Sequence, residues 1–181
     1  MEFWFWQFLF YSFLGFLFEV VFARLTRNPK RDRKCRFLLP LCPVYGLGAL
    51  ALLQLPEVVR TRPLLLFFPA AALCTGVEYV TGLFYEKVLR TPFWDYRALP
   101  LNLGGKVCLP FSLLWGAMTV LLAPLLQPAA ANLAAAVPRW LTPPAAVLFL
   151  LDSGVTFWLL RTTGDTGTLR WYDRLRVRRT A

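Results

Sequence analysis

The run LLLFFPAAALCTGVEYVTGLFY, Leu64 to Tyr85, is long enough to cross a bilayer as a helix and carries one charge, Glu78. Four other stretches share that character. Phe3 to Ala23 contains only Glu19, Phe37 to Leu55 has no charge, Val107 to Gln127 has none, and Thr142 to Leu160 contains only Asp152. Within the second run, Pro40 and Pro43 weaken the helix start. At 57% apolar and 16% aromatic, with only 17% charged residues in 181, the chain is too oily for a soluble domain of this size. The expectation is an all-α polytopic bundle of five transmembrane helices, about 3–23, 37–55, 64–85, 107–127 and 142–160. It forms one membrane domain over 1–181, ending in a basic tail, 161–181.

The basic residues test that count, because loops on the cytoplasmic side are enriched in Lys and Arg. Segments 24–36, 86–106 and the tail hold 17 of the 20 Lys and Arg, and the segments between them hold three. The alternation predicts an N-terminus outside and a cytoplasmic C-terminus, in a multi-pass protein of the cell inner membrane. A net charge of +10 is therefore explained by topology, and no nucleic-acid partner is expected. The first run lacks a basic n-region and a small-residue cleavage site, so it is expected to stay as a span, with Trp4 and Trp6 at the outer interface. From Pro128 to Pro144 the Ala-rich core is expected in that interface.

No histidine occurs, which removes His-based zinc sites and the usual Ser-His and Cys-His pairs. The four cysteines, Cys35, Cys42, Cys74 and Cys108, show no paired spacing, so reduced thiols are expected. No phosphate loop is present; LGGKV, from Leu103, lacks the first glycine and the hydroxyl. No cofactor is expected and a metal is left open. An enzyme is not the leading reading. If ATP drives transport, a separate ATPase subunit must supply the energy, beside membrane lipid and a second copy of the chain as candidate partners.

Three carboxylates sit inside apolar spans, where such groups turn into the bundle or a wet cavity. Their helix faces agree: Ser12, Gly15, Glu19 and Ala23 share one stripe, and Ala71, Thr75, Glu78, Gly82 and Glu86 share another. Ser112, Gly116, Thr119 and Ala123 give the fourth span a matching small-residue stripe, as Asp152, Ser153 and Thr156 do in the fifth. Two roles are open for Glu19, Glu78 and Asp152. They hold helices together, with Arg24, Lys106 or Arg161 as partners, or they form a site for a cation, a proton or a polar head group.

The segment TPFWDYRALPLNLGGKVC, from Thr91, is expected to fold as a partly embedded loop, with Trp94 and Tyr96 at head-group level and Gly104 and Gly105 making a tight turn. Asp95 and Asn102 either hold its backbone or close the mouth of a site containing Glu78.

Taken in order, Glu19, CPVYGLG from Cys42, EYVTGLFYE from Glu78, WDYRALPLNLGGKVCL from Trp94 and SLLWG from Ser112 resemble the CmpB family of ABC-transporter type IV permease-like membrane proteins. The resemblance spans about residues 12–117 and implies a small multi-pass permease. It carries over Glu19, Tyr45, Glu78, Glu86, Asp95, Tyr96 and Asn102 as the functional set; Asp152 joins them on physical grounds. Arg97 stands where the family commonly has Ser, and Lys106 where it has Arg. The leading function is a permease-like transport component with a carboxylate-lined polar site in the cytoplasmic half. The alternatives are a membrane enzyme acting on lipid head groups, with Glu78 or Asp95 as acid or base, and a non-transporting scaffold.

Overall fold

The structure, a computed structural model, describes residues 1–26 and 34–170. Four helices are long and apolar enough to cross a membrane: α1 (Glu2–Leu25), α4 (Pro63–Lys87), α5 (Leu109–Ala136) and α6 (Thr142–Thr163). Short helices α2 (Pro43–Leu53) and α3 (Glu57–Arg60) lie between α1 and α4. A minimal hairpin, β1 (Asn102–Leu103) with β2 (Val107–Cys108), precedes α5.

Backbone contacts join α1 to α2, α2 to α4, α4 to α5 and α5 back to α1, so these four helices close a ring. Small residues permit it. Thr75 Oγ1 donates to Ser112 Oγ across the α4–α5 seam at 2.7 Å, and Gly116 lies against the Phe67 backbone, where the two expected stripes meet. Outward positions are apolar, with Leu121 68% and Leu125 72% exposed on α5. Water penalises such a surface and acyl chains do not.

The second expected span differs from its sequence reading. Only Pro43–Leu53 is helical, a length of about 16 Å against a hydrocarbon core of about 30 Å. Residues 34–42 instead form an irregular segment laid along α6. From Phe37 on, its amides are nevertheless provided for, as a backbone away from water demands. Phe37 N–H donates to Thr156 Oγ1 (3.0 Å), Leu38 N–H to Asp152 Oδ1 (2.7 Å) and Leu39 N–H, more weakly, to Asp152 Oδ2 (3.5 Å). Leu41 and Cys42 donate to the carbonyls of Leu39 and Ser12, while Pro40 and Pro43 have no N–H to satisfy. Arg36, only 4% exposed, donates to Ser153 Oγ and stacks its guanidinium 4.4 Å from the Phe149 ring centre.

Helix α6 stands outside the ring. Phe149 meets Phe5 and Phe8 of α1, and Phe157 meets Phe84 of α4. Trp6 Nε1–H donates to Thr142 Oγ1 at one end, and Thr91 Oγ1–H donates to the Leu160 carbonyl at the other, which we call the loop end. There Tyr85, Leu89, Leu160 and Leu169 make the buried core.

Helix α5 runs past its expected end at Gln127 to Ala136, through Pro124 and Pro128. Each proline costs one hydrogen bond and crowds the carbonyl four residues back, but the alanine-rich stretch that follows has the highest helix propensity available. Ala130 and Ala134 are buried there. Of the expected basic tail, 171–181 lies outside the described residues.

Candidate functional site

Glu78 faces inward from α4 and is 6% exposed. Both carboxylate oxygens accept hydrogen bonds: Oε1 from Tyr96 O–H and Oε2 from Trp115 Nε1–H, each at 2.9 Å. Each donor is neutral. Tyr96 arrives from the loop between α4 and α5, and its ring stacks on Phe111 at a centroid separation of 4.8 Å.

Glu19, on α1, accepts from Tyr45 O–H at 2.7 Å. Tyr45 opens α2, and its ring occupies the space left by the missing side chain of Gly15, where a Cβ would overlap it. Phe18, Tyr45 and Trp115 pack as a triangle of rings, with centroid separations of 6.1, 6.5 and 5.6 Å. The two carboxylates are thus linked through aromatic donors into one cluster.

This cluster borders a partly open cavity of about 860 Å³ between the helices of the ring. The cavity runs from Lys34 and Arg170 near the loop end to Tyr11, Gln127 and Arg60. Apolar groups, among them Leu52, Leu66, Leu122 and Phe18, supply most of its wall between those groups. Large apolar cavities with a few convergent polar groups are the usual form of small-molecule sites. Tyr11 O–H donates to Gln127 Oε1 at 2.7 Å, so the end away from the loop is fastened between α1 and α5.

The loop is built as its residue types foretell. Asn102 Nδ2–H donates to the Leu99 carbonyl (2.9 Å) and its Oδ1 accepts from Gly105 N–H (3.2 Å). Gly104 and Gly105 take positive φ of 59° and 71°, the turn that glycine allows without strain. Trp94 Nε1–H donates to the Lys106 carbonyl at 2.7 Å. Asp95 accepts from Arg97 N–H (2.9 Å) and lies 3.8 Å from the Arg97 guanidinium.

Of the eight residues singled out from the sequence, Glu19, Tyr45, Glu78 and Tyr96 border the main cavity. Glu86 and Asp95 border a separate recess of about 150 Å³ under the loop, where Glu86 pairs with Lys106 at 2.5 Å. Asn102 holds the hairpin. Asp152, 4% exposed, faces the 37–39 backbone and does not line the cavity. Two residues escaped the sequence reading. The sequence reading gives Trp115 no role of its own, although a tryptophan N–H inside an apolar span needs an acceptor and Glu78 is a candidate. Arg36 enters the sequence reading only within the basic segment 24–36.

Among the described residues, no three His, Cys, Asp or Glu side chains gather as a metal site would require. The family model described as "Putative ABC-transporter type IV" matches residues 6–157. The chain belongs to this CmpB family. The match runs from Trp6 in α1 to Phe157 in α6, so it takes in Asp152 and all of α5, beyond the 12–117 stretch that carried the resemblance. No curated protein and no solved structure matches the chain.

Proposed function

We propose that this CmpB protein is a permease-like transport component of the cell inner membrane, whose main cavity receives an apolar substrate bearing a positive charge. The observation that carries this reading is Glu78: a buried carboxylate on the cavity wall, held by two neutral donors and, among the described residues, joined in no ion pair with Lys or Arg. Neutral donors orient a carboxylate without cancelling its charge, which leaves a cation favoured beside it. The apolar wall selects for hydrocarbon, and the rings of Tyr45 and Trp115 add attraction for a soft cation.

The proposed threading has five crossings within one membrane domain over 1–181. The second crossing combines the irregular segment 34–42 with α2. Such broken crossings survive at membrane depth where protein satisfies the freed backbone, as Asp152, Thr156 and Ser12 do here. Seventeen of 20 basic residues then fall on the loop side, which supports a cytoplasmic loop end and an outside N-terminus. Membrane lipid surrounds the exposed leucines. ATP-driven transport requires a separate ATPase subunit, in keeping with the family description, and a second copy of the chain is a further partner to test.

Downhill exchange of a fluorescent quaternary alkylammonium across proteoliposomes tests the proposal. The wild type is expected to speed exchange, and Glu78→Gln to abolish that gain while its helical circular dichroism and elution volume persist. Equal exchange in both proteins would overturn the role given to Glu78.

A further inference from the structure

Cys35 and Cys42 stand seven residues apart, without the spacing of a metal or redox motif, yet their sulfurs lie 3.0 Å from one another. Both are buried, at 8% and 4% exposure, and both line the main cavity. The fold brings them together. Between them, Arg36 is fixed to Ser153, the amides of Phe37 and Leu38 are fixed to Thr156 and Asp152, and Cys42 N–H is fixed to the Ser12 carbonyl at 2.8 Å. Helices α1 and α6 therefore hold the two ends of an eight-residue arc so that its terminal thiols touch. Cys74 and Cys108 differ: among the described residues neither makes a sulfur–sulfur contact.

A disulfide has an S–S distance of about 2.05 Å, so roughly 1 Å of approach separates these thiols from bonding. We propose that Cys35 and Cys42 form a dithiol–disulfide site, which exchanges with a small disulfide reaching it through the cavity.

The step is two successive thiol–disulfide exchanges. The thiolate of Cys35, the more exposed partner, attacks one sulfur of the small disulfide. That bond breaks, a mixed disulfide forms on Cys35, and one small thiol leaves. The thiolate of Cys42 then attacks the Cys35 sulfur and expels the second small thiol. Two electrons pass from the protein to the small disulfide, and the protons given up by Cys35 and Cys42 end on the two released thiols. The closed ring fixes residues 35–42 in their place beside α6, and with them part of the cavity wall.

The test uses the full chain in proteoliposomes, incubated with graded concentrations of oxidised glutathione, acid-quenched, denatured and treated with N-ethylmaleimide before peptide mass spectrometry. The expected product is an intramolecular Cys35–Cys42 crosslink, lighter by two hydrogens and reversed by reductant, with Cys74 and Cys108 alkylated. In Cys35→Ser and Cys42→Ser the crosslink is lost, and the remaining thiol keeps its glutathione adduct. Because the first readout is on the wild type, a variant that fails to fold leaves the test intact. Alkylation of all four cysteines at every glutathione concentration would overturn the proposal, as would adducts at Cys35 and Cys42 without a crosslink.

Discussion

Tyr45 and Trp115 meet edge to face, their ring centres 5.6 Å apart and their planes at 89°, and each donates a hydrogen bond to a different carboxylate. Through this contact α2 and α5 are coupled to α1 and α4, and Glu19 is tied to Glu78. The edge-to-face geometry places the positive rim of one ring against the negative face of the other. Four elements converge on one cluster, so a change at any ring is expected to reach both acids.

Trp115→Phe keeps most of the ring and removes the Nε1–H donor to Glu78. Loss of a hydrogen bond to a buried carboxylate is expected to cost about 2 kcal/mol. Denaturant unfolding in detergent checks this, with Tyr96→Phe as the parallel variant. If the double variant equals the sum of the singles, the two donors act independently; a larger loss shows that Glu78 needs at least one of them.

Gly15→Ala sets a methyl group into the space of the Tyr45 ring. Overpacking of this kind costs roughly 1–3 kcal/mol. The clash is specific, so Tyr45→Ala in the same chain is expected to recover part of the loss. Unfolding free energies of the two single variants and the double variant measure the coupling.

Asp152→Ala strips the acceptor from the amides of Leu38 and Leu39. Each donor left unsatisfied away from water costs about 1–3 kcal/mol, whereas Asp152→Asn retains one carbonyl oxygen and loses less. The loosened segment is also expected to expose its thiols. Faster N-ethylmaleimide labelling of Cys35 and Cys42, with Cys108 unchanged, is the measurement.

Glu86→Gln removes a charge from the recess under the loop and leaves the main cavity untouched. Quaternary alkylammonium exchange is expected to remain at the wild-type rate. A loss matching that of Glu78→Gln would show that the two spaces act as one.

Sequence alone located α1, α4 and α6 closely because one acidic residue in a long apolar run leaves few alternatives to a helix. Residues 37–42 were harder. Their composition suits a span, but their hydrogen-bond partners, Thr156, Asp152 and Ser12, come from distant helices, and no local pattern reports that. The fourth span was expected to end at Gln127 with the Ala-rich stretch from Pro128 in the interface, whereas α5 continues to Ala136, because away from water a backbone has few partners but itself. At the site, the small-residue stripes did indicate which faces of α4 and α5 meet, as the Thr75–Ser112 bond records. The choice of partners was not legible: Tyr96 reaches Glu78 only because the hairpin folds the loop back, and Glu86 is drawn to Lys106 by the same turn.

Equilibrium binding of a quaternary alkylammonium to the detergent-solubilised chain tests the central claim most directly, comparing wild type with Glu19→Gln, Glu78→Gln and the double variant. A charge removed from beside a bound cation is expected to weaken affinity about tenfold or more, which is roughly 1.4 kcal/mol. The account predicts that loss for Glu78→Gln, a loss for Glu19→Gln, and a double variant short of their sum because one cluster holds both acids. Wild-type affinity in all three variants, with folding intact, would contradict it.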